Sequence, residues 1–212
     1  MFVTNFSGWR EDIMAGGRPR AFDSDEALDR ALEMFWRQGY EGTGIADLAK
    51  AMGINPPSLY NAFGNKQVLF QKVLDHYADG PARYIREAFE QPTARAAIEQ
   101  LLHGAADATT HPNHPRGCLT VQGGLACAPA SAGARDELAT RRAAGETALR
   151  ARLEQARVEG ELPDDADPDG LARYFSTIYQ GLAVQAAGGA SREQLHKVVD
   201  FSMCVWPSQT SI

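Results

Sequence analysis

The sequence predicts an all-α protein of about nine helices, arranged as a three-helix N-terminal domain followed by a larger helical domain. Three observations carry this. Apolar residues recur at helical spacing in nearly every periodic segment, strict apolar alternation is scarce, and Gly, Asn or Pro punctuates the ends of the apolar stripes. The 212 residues, 44 % hydrophobic and 23 % charged, are enough for one domain or two small ones and exclude a low-complexity chain.

Organised patterning begins only after Gly16-Gly17, so residues 1–16 are expected to be a flexible extension, with Met14 a rival start. Asp23 or Ser24 then caps a first helix whose stripe is Ala27, Leu28, Ala31, Leu32, Phe35 and Trp36, closed by Gly39. A short second helix, about 44–52, is entered by Thr43 as N-cap and closed by Gly53. Asn55 is the natural cap of a third, Pro56–Phe63, because proline's fixed φ suits the first helical position; Gly64 stops it.

Asn65 caps a longer fourth helix, Lys66 to about Glu90, with a kink or break expected at Gly80-Pro81. A fifth runs from Ala94 to about Ala108 and yields to a loop of histidine and proline at 111–115. Further helices are read at 118–126, 131–159, 168–187 and 192–205, separated by Gly160, Pro163 and Gly188-Gly189.

Composition also bounds the function. The richest apolar segment, 178–190, is broken by Gln180, Gln185 and three glycines, so no membrane span is expected. Three cysteines, an odd and sparse set, suit a reducing cytoplasm, and 1–13 lacks a signal-peptide pattern. The net charge of −6 lies wholly outside residues 15–74, where seven Lys/Arg balance seven Asp/Glu. No phosphate loop, HExxH, GxSxG or paired-carboxylate pattern is present, so no enzyme is expected.

Two helices joined by a short Gly-containing turn form a helix-turn-helix, whose second helix enters the DNA major groove. Here that helix is Pro56–Phe63, with Ser58, Tyr60 and Asn61 on its polar face. The chain resembles the TetR family of bacterial transcriptional regulators through residues 39–43 (GYEGT), 45–49 (IADLA), 53–63 (GINPPSLYNAF) and Asn65-Lys66 to Leu69-Phe70. The resemblance implies a ligand-responsive repressor that binds a palindromic double-stranded operator as a homodimer and releases it to a small-molecule effector.

Residue by residue, the resemblance places Thr43, Tyr60 and Lys66 at phosphate-contacting positions, and Asn55, Pro56, Pro57, Ser58 and Asn61 facing the bases. The Pro56-Pro57 pair departs from the commoner small or basic residues and offers apolar surface to thymine methyls with few donors. Arg18 and Arg20 form a short basic arm suited to a minor groove. The implied domains are 17–65 for DNA and 66–212 for ligand binding and dimerisation, the dimer forming through the last two helices.

A ligand pocket is expected among the C-terminal helices, lined by Tyr84, Phe89, Leu102, Cys118, Gln122, Tyr174, Phe175, Ile178 and Tyr179. No cofactor is called for. A second reading is a metal- or thiol-responsive sensor on the same fold, using His111, His114, Cys118 and Cys127 with His76 or His103, although their spacing is no metal signature. A third is a helical ligand-binding protein without DNA binding.

Overall fold

The computed structural model describes residues 23–124 and 127–207. The 1–16 extension and the Arg18/Arg20 arm lie outside the described residues. The elements are α1 (Ser24–Gln38), α2 (Ile45–Ala51), α3 (Pro56–Phe63), α4 (Lys66–Asp79), α5 (Tyr84–Phe89), α6 (Ala94–Thr109), α7 (Leu119–Gln122), a 3-10 turn (Pro129–Ser131), α8 (Ala132–Val158), α9 (Pro168–Ala187) and α10 (Arg192–Met203).

Local chemistry sets most boundaries. The Asp23 side chain accepts from the Asp25 and Glu26 amides at the start of α1, and Glu26–Arg30 and Glu33–Arg37 pairs brace its outer face. Asn55 accepts from Ser58 N–H at 2.8 Å and Asn65 from Val68 N–H at 3.0 Å. Ser191 and Gln194 close a reciprocal capping box on α10. Gly53 makes the turn between α2 and α3 at φ +70°, a conformation that costs an L side chain roughly 1–2 kcal/mol.

The break expected at Gly80-Pro81 is complete, and two other expectations change. The expected fourth helix is two, α4 and α5, because Gly80 leaves helical geometry (φ −102°, ψ −104°) just before Pro81, which has no N–H to donate; the described residues therefore hold ten α-helices. Thr43 is not the N-cap of α2. Gly44 occupies that position with no side-chain cap, while the buried Thr43 hydroxyl donates to the Gly39 carbonyl at 2.7 Å and so closes the preceding turn. Of the helix expected over 118–126, residues 125 and 126 lie outside the described residues; the rest forms a single turn, Leu119–Gln122, followed by Gly123, whose carbonyl accepts the Tyr40 amide at 3.0 Å.

Two buried clusters hold these elements. The first unites α1, α2 and α3 with Leu69, Phe70, Val73, Leu74 and Tyr77 of α4, and continues into Cys118, Leu119 and Leu138. Its centre is aromatic, Phe35 meeting Phe70 edge-on at 4.9 Å. The second is built from α5, α6, α8, α9 and α10 around Ile98, Leu102, Leu153 and Phe175. Burial of each large side chain supplies about 1.5–3 kcal/mol. Among the described residues no helix is long and apolar enough to cross a membrane.

Candidate nucleic-acid interface and ligand cavity

Helix α3 is anchored on one side by the buried Leu59 and Phe63. Its other side exposes Pro56, Pro57, Tyr60 and Asn61, with Asn55 exposed at its cap and Ser58 half-buried. Tyr60 is 50 % exposed, unusual for a large ring whose helix neighbours are core.

The amides at the start of α3 are spent: Pro56 and Pro57 have none, and Ser58 N–H goes to Asn55. Contacts from this end therefore fall to side chains, with Ser58 and Asn61 bearing the hydrogen-bonding groups and Tyr60 an amphipathic ring.

The neighbouring segment is held rigidly. Glu41 accepts from Ala128 N–H at 3.2 Å and from the Ser131 hydroxyl at 2.5 Å, docking the α1–α2 connection on the turn before α8. The Lys66 ammonium lies over the Tyr40 ring, 4.2 Å from its centroid. Burial draws the Lys66 ammonium below its ordinary value, with Glu41 opposing. Of the DNA-facing positions read from sequence, Asn55, Pro56, Pro57, Ser58, Tyr60 and Asn61 thus share one end of the molecule, Lys66 sits beside them at the foot of α4, and Thr43 is buried at 1 % exposure.

A cavity of about 280 Å³ opens between α4, α5, α8 and α9. Its apolar walls include Leu74, Ala78, Ile85, Phe89, Leu101 and Leu149, and its polar lining includes Thr120, Arg141, Arg142, Glu146, Tyr179 and Gln180. Of the expected pocket residues only Phe89 and Tyr179 form the wall.

Tyr84 lies just behind it, its hydroxyl 3.1 Å from that of Tyr179. Cys118 is one residue removed, accepting the Tyr77 hydroxyl proton at 3.3 Å, while the Tyr77 ring lines the cavity. Leu102 and Phe175 are consumed by the second core, against which Tyr174 and Ile178 pack. Gln122 donates to the Arg116 carbonyl. Burial raises the phenols of Tyr77, Tyr84 and Tyr179, so all three stay neutral donors.

The contribution of α8 escaped sequence reading because 131–159 looks like a solvated polar helix. The signal was there: Ala143, Ala144 and Gly145 interrupt its long side chains, and Ala144 and Gly145 border the cavity. For the metal reading, no group of three His, Cys, Asp or Glu converges among the described residues. His76 instead pairs with Asp29 at 2.6 Å, and His103 with His196 at 2.6 Å.

Residues 27–73 match the family model described as bacterial regulatory proteins, tetR family, and residues 94–200 match a tetracyclin repressor-like C-terminal domain. The HTH-type transcriptional repressor ComR of Escherichia coli is 36 % identical over 193 residues, covering 90 % of this chain and 92 % of ComR. BdcR, an HTH-type transcriptional repressor of the same organism, is 30 % identical over 84 % of this chain and 86 % of its own. Among solved structures, a cysteine mutant of the regulator CifR complexed with 26-bp double-strand operator DNA superposes with a TM-score of 0.86 at 41 % identity, covering 90 % of this chain and 100 % of that one.

Proposed function

Since the chain belongs to the TetR family of bacterial regulatory proteins, we propose that it is a homodimeric repressor that places α3 of each protomer in a major groove of a palindromic operator and releases it on binding a small molecule in the α4–α9 cavity. The observation that carries this is the anchoring of α3: Leu59 and Phe63 fix its depth while Tyr60, Asn61 and Ser58 face outward, the arrangement a groove-reading helix requires.

Sequence is read by Ser58 and Asn61, with Pro56 and Pro57 against thymine methyls, while Tyr60 and Lys66 hold phosphates. Thr43 acts indirectly, its hydroxyl closing the turn that aims α2. Its DNA target places the protein in the cytoplasm.

The dimer uses α9 and α10, which carry Val184, Val198 and Phe201 exposed in the single chain, with Val205 exposed just past the end of α10. Recognition helices must sit about 34–36 Å apart to meet successive grooves. α4 links that spacing to the cavity: Leu69 and Phe70 sit in the core of the DNA-binding helices, while Leu74, Tyr77 and Ala78 line the cavity. The His76–Asp29 pair at 2.6 Å ties α4 to α1. An effector that binds better to dimers with wrongly spaced helices empties the operator by population shift.

Selection of bound duplexes from a random pool by the purified protein, at two salt concentrations, tests this. A palindromic motif with half-sites one turn apart is expected. Absence of enrichment at either salt would overturn it.

A further inference from the structure

Resting on the reading of the α4–α9 cavity as the effector site, we infer that its ligand is an amphipathic carboxylate of medium chain length, the carboxylate received by Arg142 and the hydrocarbon by the walls from α4, α5 and α6. The charges around the cavity point there. Arg141 is matched twice, by Asp75 and by Glu137, each at 2.7 Å. Glu146 is matched by Arg173 at 2.9 Å. Arg142 has no carboxylate partner among the described residues; its one hydrogen bond there runs from Nη1 to the Thr120 carbonyl at 2.6 Å.

That bond pins the guanidinium beside the cavity and leaves most of its five N–H donors for a ligand. A half-buried guanidinium against apolar walls is a poorly compensated charge until an anion meets it, and a carboxylate does so with two parallel bonds.

The remainder of the lining fixes the body of the ligand. Leu74, Ile85, Phe89, Leu101 and Leu149 offer hydrocarbon contact without a donor or acceptor. At about 280 Å³ the cavity lies at the small end of ligand sites, which suits a single medium-length chain. The Tyr179 phenol is neutral, so it adds no negative charge to oppose an anion. A cation would have to take Glu146 from Arg173.

The test is calorimetric titration of the full chain with octanoate, octanamide and octylamine, which share a chain and differ in the head group. Octanoate is expected to bind once per protomer and about tenfold or more tighter than octanamide, the order expected for hydrogen bonds to a charged group. Arg142→Gln should bring octanoate down to the amide's affinity, and Arg142→Lys should retain part of the preference. Equal affinities, a preference for octylamine, or no binding of any of the three at millimolar concentration would overturn the ligand class.

Operator release is read separately by fluorescence anisotropy. Octanoate that binds through Arg142 without releasing operator supports the ligand class and overturns the effector role of the cavity.

Discussion

Trp36 of α1 meets Tyr77 of α4 edge-on, ring centroids 4.8 Å apart, and the same Tyr77 ring is part of the cavity wall. One side chain therefore touches both the space proposed for the effector and the first helix of the DNA-binding unit. A double-mutant cycle of Trp36→Leu and Tyr77→Leu, read from urea unfolding, should give a coupling of about 0.5–1.5 kcal/mol, the range for aromatic pairs. Additive losses would show that the two helices are joined by other contacts.

Leu59 and Tyr60 are adjacent on α3 and face opposite ways, so their truncations should separate stability from DNA binding. Leu59→Ala removes a fully buried side chain and is expected to cost about 2–5 kcal/mol in chemical denaturation. Tyr60→Ala should leave the unfolding midpoint nearly unchanged, within about 0.5 kcal/mol, and weaken operator binding about tenfold in anisotropy titrations.

Phe201, 77 % exposed on α10, is a large apolar side chain that the single chain leaves in water. Phe201→Glu should sediment as a 23.0 kDa monomer where the parent sediments as a dimer, and should lose most operator affinity because one half-site alone remains bound. A dimeric Phe201→Glu protein would move the interface elsewhere.

His114 stacks on Trp36, centroids 5.7 Å apart, and burial, helped by His111, holds its imidazole below the ordinary value against the opposing pull of Glu33. A depressed histidine binds fewer protons folded than unfolded, so its contribution is complete above the ordinary value of about 6.5 and is lost as pH falls below it. Urea midpoints measured from about pH 7 downward should therefore fall less steeply for His114→Asn than for the parent. Identical slopes would remove His114 from the acid sensitivity.

What could be read from the chain follows from how local each signal is. The limits of α3 were legible because Asn55, Pro56 and Gly64 act within one turn of themselves. The break at Gly80-Pro81 was legible for the same reason. Thr43 misled, since a threonine before a helix satisfies the N-cap pattern, yet its hydroxyl found a nearer carbonyl at Gly39 once the turn closed. The helix that opens at Leu119 closes after one turn at Gly123, whose carbonyl is taken by a partner more than eighty residues away in sequence, the Tyr40 amide.

The sequence by itself determined the helical class, the capped and glycine-bounded segments of the DNA-binding unit, and the residues its third helix turns outward, because caps, turns and 3.6-residue periodicity are written into neighbouring positions. Only the tertiary structure decided that α4 belongs to the first core as well as to the cavity wall, that Leu102 and Phe175 are packing while Arg142 borders open space, and that Arg142 alone among the cavity's charges lacks an opposite partner within the described residues. A cavity is the volume that several helices fail to fill, and an unmatched charge is one whose distant neighbours are already taken. Both depend on how the helices pack together.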